Sequence, residues 1–195
     1  MNTFFKAFTI QEDNDGVFTS SIKRKDISSL PDGDLTIRVK YSSLNYKDAL
    51  SSTGNKGITK SYPHTPGIDA VGVVESSENN NFKIGDKVIV TGYDLGMNTS
   101  GGYGQYIRVP SQWAVALPKG LTSKESMALG TAGLTAGLCI RALDKKNGIH
   151  GKDAVVTGAT GGVGYLAVQL LAKLGANVTA VTGKNDAKEM LESFG

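Results

Sequence analysis

The sequence predicts an α/β plus β protein, with a β-rich domain followed by the first part of a doubly wound, dinucleotide-binding α/β domain. Three observations predict it. Short apolar runs punctuated by Gly and Pro clusters fill the first 120 residues. From Ser126 to Leu143 the pattern becomes apolar and helical. The run Ala154–Thr157 then enters a glycine turn, and Tyr165–Gly175 continues with helical periodicity.

Taken in order, Leu35–Tyr41 alternates apolar and polar residues, the period of a half-buried strand. Ala70–Val74, Lys87–Val90 and Tyr106–Val109 are further strand candidates. Pro31–Gly33, Thr65–Gly67, Gly85-Asp86 and Gly101-Gly102 separate them, as in an irregular barrel or sandwich. Asn45–Leu50 reads as one or two helical turns with Asn45 as the cap. Thr122 and Glu125 have capping-box spacing at the start of the helical segment. The boundary falls near 120–128, giving domains 1–125 and 126–195.

Bulk properties bound the function. The 195 residues hold one domain or two small ones, and 39% hydrophobic content supports a core. The 25 glycines against 5 prolines indicate turns rather than disorder. Net charge is +3 with both signs interspersed, and no basic block or basic-aromatic stripe points to nucleic acid. The single cysteine, Cys139, excludes an intrachain disulfide and is expected to be buried. The N-terminus lacks the pattern of a signal peptide, and no stretch reads as a membrane span of ~20 apolar residues. A cytoplasmic protein with no membrane partner is the expectation.

The turn is Gly158-Ala159-Thr160-Gly161-Gly162-Val163-Gly164. Glycines allow close backbone approach, so amides at a helix N-terminus can hold a pyrophosphate. The spacing Gly158-x-x-Gly161-x-x-Gly164 differs from the strict fingerprint, but strand, turn, helix and returning strand Asn177–Thr182 are all present. The same glycines could serve strand–helix packing alone. The second strand ends in Thr182-Gly183-Lys184 without the acid that would bind a ribose 2′-hydroxyl. A hydroxyl, an open amide and a cation suit a 2′-phosphate, which favours NADPH; a solvated loop lysine is the plainer reading of Lys184. Asp186 lies near the acid's expected spacing but reads as the cap of the next helix. Residues 152–195 hold one βαβ unit and part of a further helix, whereas a doubly wound sheet uses about six strands. A piece of a longer chain, binding NADPH weakly and without steady turnover, is therefore expected.

Several stretches occur together in the order found in one superfamily. They are Tyr41–Leu50, Pro66–Val74, Gly85–Val88, Gly130–Ala136 and Val155–Gly164. The chain resembles the medium-chain dehydrogenase/reductase superfamily, in its zinc-free quinone oxidoreductase-like branch and the subgroup of acrylyl-CoA reductases. The resemblance implies a GroES-like domain followed by a Rossmann domain, with homodimers in the full-length form. It implies NADPH-dependent hydride transfer to a small molecule, either a quinone or an α,β-unsaturated acyl-CoA. Tyr46 would contact the nicotinamide end and serve as the catalytic-domain residue, and Thr131 would stand at the cleft. Their plainer roles are packing for Tyr46 and capping for Thr131.

Zinc members carry Cys at the position of Asn45 and Gly-His-Glu at Gly67-Ile68-Asp69. A catalytic zinc needs three protein ligands, so no metal is expected. His64, beside Pro63, reads as a loop residue. The rival readings are an NADPH-dependent enone reductase or alcohol dehydrogenase, and a non-catalytic NADPH-binding or RNA-binding protein of the crystallin type.

Overall fold

The computed structural model describes residues 3–194. The chain divides into two compact units, one ending at Gly130 and one starting at Thr131.

The first unit opens with an antiparallel hairpin of β1 (Phe4–Glu12) and β2 (Phe18–Asp26), which pairs Phe4 with Asp26 and Glu12 with Phe18. The Asp13 carboxylate fixes the turn by accepting from the amides of Asp15 and Val17, both at 2.9 Å. Phe5 and Ala7 are buried against Leu30. The sequence reading missed this hairpin for a physical reason. β2 is polar at most positions and stays largely exposed, so pairing rather than periodic burial makes it a strand.

The main sheet is antiparallel, in the order β6-β3-β4-β5-β7. Its strands are β3 (Leu35–Tyr41), β4 (Asp69–Ser77), β5 (Lys87–Thr91), β6 (Tyr106–Val109) and β7 (Ala114–Ala116). β3 to β6 contain the expected runs; β7 was not foreseen. Leu35, Ile37, Val74, Val90 and Ile107 pack into one cluster. Each such side chain, fully buried, stabilises by ~1.5–3 kcal/mol. The short helix α1 (Tyr46–Ser52) connects β3 towards β4.

Helix α2 (Ser123–Asn147) starts from the expected capping box. Thr122 N donates to the Glu125 carboxylate at 2.8 Å, and Glu125 N donates to Thr122 Oγ1 at 3.2 Å. At Gly130 the helix breaks, with φ 50° and ψ −153°. A Cβ at Gly130 would lie 2.4 Å from Ser43 Oγ and 2.7 Å from Asp69 Oδ2, so both conformation and space require glycine. By length and composition alone Ser123–Lys146 is long and apolar enough to cross a membrane, contrary to the sequence expectation. The break at Gly130 divides that stretch into two shorter helical pieces.

In the second unit, β8 (Asp153–Thr157) and β9 (Asn177–Val181) pair in parallel, from Asp153–Asn177 to Thr157–Val181. Helix α3 (Gly162–Lys173) links them, and α4 (Lys188–Glu192) follows. Val156, Val178 and Ala180 pack against Val168 of α3 and Leu191 of α4. Among the described residues this sheet has two strands, and Val155 and Val181 on its other face are 69% and 46% exposed. Parallel strands usually have cover on both faces, and among the described residues this face is the open one. Cys139 is exposed, not buried as expected. Ala136 and Ile140, one helical turn apart, take the buried stripe of α2 and leave Cys139 beside it.

His64 lies between named elements, as a loop residue should, and it is buried; its Nε2–H donates to the Gly96 carbonyl at 2.9 Å. Burial holds its pKa below the usual 6.5. As pH falls below 6.5, the unfolded chain takes up a proton that folded His64 resists. The first unit should therefore lose stability as pH falls from 6.5 through the lower folded value. Urea denaturation between pH 7.5 and 5 should show this loss in the native chain and a flatter profile in His64→Gln. A native stability that rises over this range would contradict the assignment.

Candidate active-site residues

In the first unit, the residues around Tyr46 form a buried polar network. Asn45 occupies the N-cap of α1, and Asp48, at the third helical position, reaches back to accept from Asn45 N at 2.9 Å. The other Asp48 oxygen accepts from Gly67 N at 3.1 Å and Ile68 N at 2.9 Å. Tyr103 Oη donates to Asp48 Oδ2 at 3.1 Å and is within reach of the Ser43 carbonyl at 3.2 Å. Burial, then the neighbouring Asp48 carboxylate, push the Tyr103 phenol well above its ordinary range, so it remains a neutral donor.

The Asn45 side-chain amide donates to Asp69 Oδ2 at 2.9 Å, and Ser42 Oγ donates to the Asp69 carbonyl at 2.6 Å. Asp48 and Asp69 are both buried. Asn45 and Asp69 thus meet each other as amide and carboxylate. Among the described residues no group of three His, Cys, Asp or Glu side chains is placed to hold a metal. Tyr46 itself is the first residue of α1 and is 80% exposed. It offers a free phenol edge on a helix turn that the Asp48 network holds rigid.

Sequence reasoning identified Asn45 as the cap but missed Tyr103 and the buried part played by Asp69. One signal was available. Asp69 is an acid inside the apolar run Ile68–Val74, where only a hydrogen-bonded carboxylate can be accommodated.

In the second unit, Gly158 has φ 61°, and Gly161 N donates to its carbonyl at 2.8 Å, closing the glycine turn. A Cβ on Gly164 would come 2.2 Å from the Gly158 oxygen, which explains the third glycine. Helix α3 starts at Gly162 with Gly161 as N-cap, and Tyr165 N donates to Gly161 O at 2.8 Å. The amides of Gly162, Val163 and Gly164 precede that first intrahelical bond, so they are the donors a helix N-terminus presents to an anion. A cleft of about 520 Å³ runs along Val155–Gly158 and Gly161–Gly164, with Ile140 and Leu143 in its wall.

The turn and the tip of β9 are brought together. Thr160 Oγ1 and Thr182 Oγ1 lie 3.1 Å apart, and Lys184 N donates to Thr182 Oγ1, also at 3.1 Å. Thr182, Lys184 and Lys188 line a second cleft of about 400 Å³. Lys184 is exposed, and a Cβ on Gly183 would meet nothing within 4 Å. Asp186 does not cap the next helix: the 3₁₀ turn Asn185–Ala187 and α4 both start without a side-chain cap. Thr131 opens the unit, and its carbonyl accepts from Thr135 Oγ1 at 2.7 Å. Tyr46 and the nucleotide-binding candidates therefore belong to different units.

Comparison with known proteins agrees with both halves. Residues 31–119 match the alcohol dehydrogenase GroES-like domain. The chain is 42% identical over 193 residues to acrylyl-CoA reductase AcuI of Ruegeria pomeroyi, covering 98% of this chain and 58% of that protein. Among solved structures, the yhdH oxidoreductase of Salmonella enterica in complex with NADP superimposes with a TM-score of 0.92 at 45% identity. That match covers 97% of this chain and 59% of the other. Bacillus subtilis yhfP with NAD bound gives a TM-score of 0.92 at 41% identity, covering 99% of this chain and 59% of that one. The chain thus spans somewhat under two thirds of the length of these relatives. With a GroES-like domain over residues 31–119, a strand–glycine turn–helix unit and these likenesses along nearly its whole length, the chain is similar to oxidoreductases of the medium-chain dehydrogenase/reductase superfamily.

Proposed function

We propose that this protein is an NADPH-dependent oxidoreductase that delivers hydride to an electron-poor acceptor, a quinone or an α,β-unsaturated thioester such as acrylyl-CoA. The observation that carries the reading is the Thr160–Thr182 contact, which joins the glycine turn to a β9 tip bearing Lys184 and no acid. The backbone of Gly158, Gly161, Gly162, Val163 and Gly164 fits a pyrophosphate, since a side chain at Gly164 would fill the turn. Thr182, the Gly183 amide and Lys184 fit a 2′-phosphate. Tyr46 and Thr131 are assigned to the nicotinamide end on the resemblance.

The nicotinamide, when bound, supplies the hydride. The chain's own residues bind and orient. Asp48 and Tyr103 fix the α1 turn, and Tyr46 presents a hydroxyl able to hydrogen-bond an acceptor carbonyl. Such polarisation replaces a metal, so a chelator should leave turnover unchanged and elemental analysis should find no stoichiometric zinc. Zinc at one per chain, lost together with activity, would contradict this. The relatives' names and bound cofactors support the class: AcuI is an acrylyl-CoA reductase and the Salmonella protein holds NADP. In a form matching the relatives' length, a homodimer follows from the resemblance.

The test is NADPH oxidation with a quinone, acrylyl-CoA and a simple enone in parallel, using a form that matches the relatives' length. Turnover with quinone or acrylyl-CoA is expected. Turnover with the enone alone would move the assignment to an enone reductase. NADPH binding without oxidation by any of the three would favour a binding protein.

A further inference from the structure

The first unit carries a cleft of about 270 Å³, lined by the hairpin, the end of β3 and residues 102–105. Its wall includes Lys6, Phe8, Ile22, Lys40, Tyr41 and Tyr103. Lys6 is held in place by its backbone: its amide donates to Gln105 Oε1 at 2.7 Å, and Gln105 N donates to the Lys6 carbonyl at 3.0 Å. Directly across the ladder from Lys6 is Arg24, whose guanidinium lies 4.2 Å from the centre of the Phe4 ring. None of the ion pairs among the described residues uses Lys6, Arg24 or Lys40. β1 and the end of β3 thus bring Lys6 and Lys40 to one cleft, beside apolar surface at Ile22 and Tyr41 that is 64% and 48% exposed.

Two wall residues tie this cleft to the Tyr46 network. Tyr103 donates from its hydroxyl to Asp48, and Ser42, also in the wall, donates to the Asp69 carbonyl. The cleft therefore borders the network that positions α1. Unpaired cations beside exposed aromatic and aliphatic surface suit a ligand that combines phosphates with a planar ring and an apolar arm. A quinone has no phosphate to offer them.

We propose that this cleft binds the phosphorylated nucleotide end of a coenzyme A thioester, with Lys6 and Lys40 pairing with its phosphates and Ile22 and Tyr41 covering its ring and arm. The proposal rests on the reductase reading and narrows its substrate to the thioester. No bond is made or broken here; the cleft supplies binding energy remote from the reacting carbon–carbon double bond.

The test is calorimetric titration of the 195-residue chain with coenzyme A, dephospho-coenzyme A, pantetheine and inorganic phosphate. The native chain is compared with Lys6→Glu/Lys40→Glu and Lys6→Arg/Lys40→Arg, and circular dichroism checks that each variant is folded. Coenzyme A should bind more tightly than pantetheine, weaken about tenfold or more in the Glu pair, and recover in the Arg pair. Weaker binding of dephospho-coenzyme A would assign the 3′-phosphate to the cleft. A folded Glu pair with unchanged coenzyme A affinity would overturn the proposal, as would pantetheine binding as tightly as coenzyme A. Inorganic phosphate binding as tightly as coenzyme A would overturn it in favour of a general anion site. Because these are binding measurements, failure of acrylyl-CoA turnover would count against the reductase reading without deciding the cleft.

Discussion

Asp48→Ala should destabilise the first unit by at least about 3 kcal/mol and lower its melting temperature by about 10 °C or more. The carboxylate is buried and accepts from Asn45 N, Gly67 N, Ile68 N and Tyr103 Oη. Alanine leaves the three backbone amides without an acceptor and Tyr103 Oη with the Ser43 carbonyl alone, and each unsatisfied buried donor costs about 1–3 kcal/mol. Asp48→Asn keeps one acceptor oxygen but turns an NH₂ group towards other donors, so it should fall between native and alanine. Thermal melting of the three proteins checks this. A melting temperature for Asp48→Ala within 2–3 °C of native, an interval set by about 4–8 °C per kcal/mol for small domains, would show that the network is not structural.

Gly164→Val should remove dinucleotide binding, raising the NADPH dissociation constant about 100-fold or more, which corresponds to roughly 2.7 kcal/mol. Its Cβ would sit 2.2 Å from the Gly158 oxygen, 2.8 Å from the Gly158 carbonyl carbon and 3.0 Å from Ala159 Cα. All three are backbone atoms, so no side chain can swing away, and the turn must open. Gly137→Ala is the matched control, since its Cβ meets nothing, its backbone needs no positive φ and it lies outside the glycine turn. Fluorescence titration with NADPH checks both. Native affinity in Gly164→Val would place the cofactor elsewhere. The melting transition of the first unit should not change in either variant.

The second unit was legible because its signal is local. A β-branched run, glycines at fixed spacing and a helical stretch each declare themselves within a few residues, and β8, α3 and β9 lie close to where the periodicity puts them. The antiparallel strands β3 to β6 were legible through alternation and Gly or Pro punctuation. The rest depends on contacts distant in sequence. β2 is a strand only because β1 pairs with it. Tyr103 joins Asp48 across 55 residues, and nothing near Tyr103 in the sequence announces that. His64 is buried because Ile10 of β1 bridges to it and Gly96 accepts from its ring. The basic cleft escaped a search for charge blocks because its cations, Lys6 and Lys40, come from different strands. Gly130 reads as a mild helix weakener in sequence, whereas the fold uses it as the break in α2 where the two units divide.

The most direct test of the central claim is cofactor choice at the β9 tip. Dissociation constants for NADPH and NADH should be measured on the native chain and on Lys184→Ala. NADPH is expected to bind about tenfold or more tightly than NADH, and the alanine variant should lose most of that preference while NADH affinity stays near native, because the missing cation acts on the phosphate. The yhfP structure holds NAD, so the comparison has a real alternative. Tighter binding of NADH, or an equal loss for both cofactors in Lys184→Ala, would contradict the assignment.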